Sequence, residues 1–101
     1  MAMTLKEEAK KFLANVPEEY VFWCCDGHVM KNMQELGDAL NSVTEETFAY
    51  HANAEKNDFV KWVRDIIGDE KLAKNLEKAE SRAQAAKQAA ARVAILTKRL
   101  A

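Results

Sequence analysis

Asp58-Phe59-Val60-Lys61-Trp62-Val63-Arg64-Asp65-Ile66-Ile67-Gly68-Asp69 decides the fold class. Phe59, Trp62, Val63, Ile66 and Ile67 recur at i, i+3, i+4, i+7 and i+8, which gathers them on one face of an α-helix. Asn57 or Asp58 supplies its N-cap, and Gly68 takes the position just past its last turn. Asp69 then opens another helix with Leu72, Ala73, Leu76 and Ala79 turned inward. Ser81 caps a final alanine-rich helix, or the two run on as one long helix from 69 to 100.

Working back towards the N-terminus, Asn32 followed by Glu35 reads as a capping box, and Met33, Leu36, Leu40 and Val43 trace a helix over 33–42. Leu5, Ala9, Phe12, Leu13 and Val16 stand at helical spacing behind Thr4, so a first helix reaches about residue 15 before Pro17 stops it. Between them, Tyr20-Val21-Phe22-Trp23-Cys24-Cys25 is β-prone, and Asp26-Gly27 followed by His28-Val29-Met30 predicts a hairpin closed by a type I′ turn. Residues 47–52 are ambiguous. Thr47, Phe48 and Tyr50 favour a strand, whereas Ser42 with Glu45 would cap a helix; the preferred reading is a third strand beside the hairpin. The expected fold is α+β and mainly α: four to five helices with a small two- or three-stranded antiparallel sheet.

A length of 101 residues fits a single domain over 1–101, and 49% hydrophobic with 31% charged residues supports a buried core under a solvated surface. Three Gly and one Pro are too few for an all-β sandwich, which needs a turn every roughly 8 to 12 residues. No apolar run approaches the roughly 18 residues of a membrane span. Four charges between residues 6 and 10 stand where a signal peptide would be apolar. Cys24 and Cys25 are adjacent, and neighbours in sequence pair only through strained geometry, so reduced thiols and a cytoplasmic location are expected.

Net charge is −1, unevenly distributed. Residues 81–101 hold Arg82, Lys87, Arg92, Lys98 and Arg99 and no acid, leaving ten basic and sixteen acidic residues in 1–80. Ala86, Ala89, Ala90, Val93, Leu96 and Leu100 share one face of that last helix, with Lys87, Arg92, Lys98 and Arg99 on its flanks. The five basic residues are therefore the candidate partner-binding set, for a polyanion or an acidic protein surface.

Chemistry is sparse by comparison. Cys24, Cys25, Asp26, His28 and His51 are all of metal-ligating type, yet adjacent residues on a strand point to opposite faces, so no metal and no cofactor is expected. A cysteine nucleophile with His28 or His51 lacks any sign of an oxyanion hole, and no glycine-rich phosphate loop, serine elbow or H-E-x-x-H pair occurs. The expectation is that the chain is not an enzyme. In the polar stretch 51–58, Asn53, Asn57 and Asp58 are read mainly as backbone caps, with His51 holding a loop. Of the aromatic residues, Phe59 and Trp62 belong to the core, and Trp23 or Tyr50 is the exposed one.

These residues also carry a resemblance. Phe22-Trp23-Cys24-Cys25-Asp26-Gly27, Lys31-Asn32 with Glu35-Leu36, Thr47-Phe48-Ala49-Tyr50-His51, and Glu55-Lys56-Asn57-Asp58-Phe59 with Trp62 make residues 17–79 similar to a small uncharacterised domain family of archaea and candidate bacterial lineages. The resemblance implies a stand-alone or appended module with no established reaction. It draws attention to Tyr50, His51, Asn57 and Asp58 as a motif of unknown role, and it places a polar residue where this chain has Cys25. The basic tail, 81–100, lies outside it.

The functional expectation is an interaction module that binds a protein partner or self-associates through apolar helix faces. The alternatives are a nucleic-acid- or ribosome-associated protein using the basic helix, and a small metal-binding module.

Overall fold

The computed structural model describes residues 3–101. It is α+β and mainly α, with six helices and one two-stranded antiparallel sheet. Helix α1 (Leu5–Leu13) begins on a complete capping box, in which the Thr4 hydroxyl accepts from the Glu7 N–H and the Glu7 carboxylate accepts from the Thr4 N–H. It buries Ala9 and Phe12 but leaves Leu5 exposed, so its inward face is shorter than the spacing predicts. A single turn of 3₁₀-helix (Glu18–Tyr20) leads into the hairpin of β1 (Phe22–Trp23) and β2 (Val29–Met30), paired Phe22 to Met30 and Trp23 to Val29.

The hairpin stands where the sequence placed it, but its turn is not type I′. Only Gly27 has positive φ, at +98°, and its N–H donates to the Cys24 carbonyl at 3.0 Å. The Cys24 N–H in turn donates to the His28 carbonyl at 2.9 Å. That is a three-residue loop over 25–27, a type I turn followed by glycine in the left-handed region, which spares Asp26 a positive φ.

Helix α2 (Met33–Ser42) has Asn32 as N-cap, its side chain accepting from the Glu35 N–H at 2.8 Å. Residues 45–51 are then helical, contrary to the strand expected there. Thr44 caps α3 (Glu45–His51), with Glu45 and Glu46 in the first turn, where carboxylates favour the positive end of the helix dipole. Strand propensity lost to packing: a helix puts Phe48, His51 and Ala52 on one side, and Phe48 stacks on Phe59 at 5.7 Å. A short link, tied by the Ala52–Asn57 bridge and the Asn53 N–H to Lys56 carbonyl bond, leads to α4 (Asp58–Trp62).

Asn57 is the N-cap of α4, its side chain accepting from the Val60 N–H at 3.1 Å. The helix widens into one π-helical turn (Val63–Ile67), closed when the Gly68 N–H reaches the Val63 carbonyl at 2.7 Å. Gly68 ends it at φ +90°. Helices α5 (Glu70–Lys78) and α6 (Arg82–Leu100) are separate, capped by Asp69 and Ser81.

Helix α6 packs against α1, α2 and α5. Ala85, Ala86, Ala89 and Leu96 are buried on it, and small residues let the helices approach closely: a Cβ built on Gly37 of α2 would lie 3.7 Å from that of Ala89. Ala90 is exposed, and the inward stripe instead takes in Arg92, so α6 is rotated from the face its apolar residues predict. Met30, Met33, Leu36, Leu40, Val63 and Leu72 fill the centre. No helix among the described residues is long and apolar enough to cross a membrane.

Candidate thiol–imidazole site and aromatic groove

His51 ends α3 and is buried between the hairpin and α4. The rings of Phe22 and Phe59 meet it edge-on at 5.2 and 5.5 Å, and Tyr50 covers its outer side at 4.9 Å. Its Nδ1 lies 2.9 Å from Oδ2 of Asp58, the first residue of α4, and its Nε2 lies 3.0 Å from the backbone nitrogen of Cys25. Burial raises Asp58, but hydrogen bonds from His51 and Lys56 outweigh it and hold the carboxyl below its ordinary range. An ionised carboxylate only accepts, and a backbone N–H only donates. The tautomer follows: the proton sits on Nδ1 and the lone pair on Nε2, facing the hairpin turn.

That lone pair points to where the cysteines are. The Sγ atoms of Cys24 and Cys25 and a ring nitrogen of His51 all lie within 4.8 Å of one another. The strand alternation that would have sent the sulfurs to opposite faces does not apply, because β1 ends at Trp23 and Cys25 is already in the turn. Cys24 is buried and Cys25 exposed, both reduced. Burial pushes the Cys24 thiol up to about 11. Asp26 borders this cluster through hydrogen bonding to the Cys24 thiol, while its carboxylate also pairs with His28, Oδ2 to Nδ1 at 2.7 Å.

Beside the imidazole lies an open groove of about 360 Å³ between the hairpin and the α4 face. Val21, Phe22, Trp62 and Ile66 give it an apolar floor, Trp23 forms a wall, and Asp58, Asp65 and Lys61 stand at its edge. Trp62 is fixed by its Nε1–H donating to the Tyr20 carbonyl at 2.8 Å. Trp23, by contrast, is 72% exposed, and Tyr50 and Tyr20 are also exposed.

The four motif residues thus divide. Asn57 is a cap, and Asn53 also serves the backbone, its side chain bonding the Ala49 carbonyl and the Glu55 N–H. His51 and Asp58 form a tie across the hairpin, while Tyr50 is an exposed lid on the imidazole and lies under the Lys56 ammonium at 5.0 Å.

The basic set of α6 is largely turned to internal work. Arg82 bonds Glu45 at 2.9 Å and the Leu40 carbonyl at 2.6 Å, and Arg99 reaches Glu8 at 3.4 Å. Arg92 is no flank residue: it is buried on the Asp69 carboxylate. Only Lys87 and Lys98 of the five are exposed in the described residues. The groove itself has no signal in the sequence, because its wall and floor come from segments some 40 residues apart that only the packing brings together. Compared with protein-family models, curated proteins and solved structures, the chain matches none.

Proposed function

We propose that the chain is a non-enzymatic interaction module whose binding surface is the groove under Trp23, and that its occupant is a protein segment presenting an apolar side chain next to a lysine or arginine. The observation that carries this reading is Trp23, 72% exposed against an apolar floor of Val21, Trp62 and Ile66. A solvent-facing tryptophan beside an apolar hollow is the kind of group that anchors protein interfaces. Asp65 at the edge and the excess of acids in residues 1–80 favour a basic partner over an acidic one. Self-association through the apolar face of α6 is not the favoured form, since α1, α2 and α5 cover that face. Nor does the basic helix favour a polyanion, with three of its arginines engaged inside the molecule.

A random-peptide display selection on the reduced, full chain tests this. Enrichment of an apolar residue beside Lys or Arg is expected, with selected peptides binding about tenfold or more weakly to Trp23→Ala and to Asp65→Lys, roughly 1.4 kcal/mol per tenfold. Absence of enrichment, or equal binding by both variants, would overturn it.

A further inference from the structure

We infer that Cys24, Cys25 and His51 form a binding site for a thiophilic closed-shell cation, Zn2+ or Cu+. Two thiolates and an imidazole are a ligand set suited to both ions. The three ligand atoms already lie within 4.8 Å of one another, and tetrahedral bonds to zinc require about 3.8 Å between sulfurs. The difference is about 1 Å at most. Cys25 stands in an exposed turn, and a small shift of that turn, which also frees Nε2 from the Cys25 N–H, closes the gap without moving the core.

A second observation, separate from proximity, is the orientation of the imidazole. Metal-binding histidines characteristically donate their remote N–H to a carboxylate, which fixes the tautomer and raises the basicity of the other nitrogen. His51 has this arrangement: Nδ1 on Asp58 at 2.9 Å, Asp58 itself held by Lys56 at 3.2 Å, and Nε2 directed at the cysteine turn. Packing by Phe22 and Phe59 holds the ring in that plane. Nε2 now accepts from the Cys25 N–H, and coordination exchanges this one neutral hydrogen bond for three metal–ligand bonds.

Binding displaces one proton from each thiol into solvent, so occupancy rises with pH. The fourth position of a Zn2+ ion would face the solvent on the Cys25 side, whereas Cu+ is content with the three ligands. The site does not depend on the groove reading.

The test is titration of the reduced, tag-free full chain with Co2+ as a spectroscopic stand-in, then with Zn2+. Thiolate-to-cobalt charge-transfer absorption at one equivalent, bleached by Zn2+, is the expected result for zinc; one equivalent of Cu+ held against a Cu+ chelator, without Co2+ absorption, assigns the site to copper. Asp58→Asn should weaken binding about 10- to 100-fold, and Cys25→Ser, at an exposed position, should abolish the charge-transfer band or the Cu+ retention while the fold persists. Trp23→Ala should leave metal binding unchanged, which separates this site from the peptide groove. Stoichiometric binding of neither ion, or binding that Cys25→Ser leaves intact, overturns the inference.

Discussion

The Arg92 guanidinium on α6 grips the Asp69 carboxylate at the start of α5 with two bonds, Nε to Oδ2 at 2.7 Å and Nη2 to Oδ1 at 3.1 Å, both side chains being shut off from solvent. Asp69 also accepts from the Leu72 N–H as the N-cap, so one carboxylate fixes both the start of α5 and its docking on α6. Arg92 Nη1 has no partner among the described residues. Removing the carboxylate charge therefore strands a buried cation. Asp69→Asn keeps an N-cap oxygen and should still lower stability by about 3–5 kcal/mol, while Asp69→Asn with Arg92→Met should lose clearly less. Urea unfolding at unchanged slope checks both; a single-variant loss below about 1 kcal/mol would show that the pair is not holding α5 to α6.

The two tryptophans should respond in opposite ways. Trp62→Phe removes the donor to the Tyr20 carbonyl and part of the groove floor, at a cost of about 1–3 kcal/mol. Trp23→Phe, on a side chain that is mostly in water, should change stability by less than about 0.5 kcal/mol. Thermal or urea unfolding of the pair of variants measures the contrast, and similar losses at both positions would contradict the placement of Trp23.

Glycine substitutions should differ in sign. Gly37 sits within α2 in ordinary helical backbone, and an added methyl would meet Ala89 at van der Waals distance, so Gly37→Ala should stabilise by up to about 1 kcal/mol. Gly68 has room for a methyl, its nearest neighbour being Phe12 at 3.9 Å, but it has φ +90°. Gly68→Ala should therefore destabilise by about 1–2 kcal/mol through the backbone alone. Circular-dichroism melts of the two variants decide the signs.

Acid should loosen the hairpin turn in a defined window. Hydrogen bonds from the His28 N–H and ring lower the Asp26 carboxyl from 3.8 to about 2. A carboxyl lowered by folding contributes stability that is fully present above its unfolded value and fades as pH falls through its folded one. Asp26→Asn should thus be less stable than the parent at neutral pH, with the difference shrinking between about pH 4 and pH 2. A difference independent of pH across that range would show that the charge does not contribute.

How much of this was legible in the chain depended on how local each cause is. Thr4, Asn32, Asn57, Asp69 and Ser81 were readable as caps because a cap bonds an N–H two or three residues ahead. Residues 45–51 were misread because β-branched and aromatic side chains argued for a strand, while stacking of Phe48 on Phe59, eleven residues on, rewarded a helix. Arg92 was read as a solvated flank because nothing near it in sequence announces Asp69, and the face of a helix that mixes alanine with arginine is set by its partner. The meeting of His51 with Cys24 and Cys25 is likewise a product of tertiary packing across 26 residues, made reachable because β1 stops short of both thiols.

Helix α6 follows every other element in the chain, yet it supplies the surface on which α1, α2 and α5 all rest. During synthesis the earlier helices emerge with Met33, Leu36, Leu40 and Leu72 still lacking their cover, and Glu8, Glu45 and Asp69 still lacking their arginines. Taken without the alanine-rich segment, the earlier residues are therefore net acidic and uncovered on the very face that α6 closes.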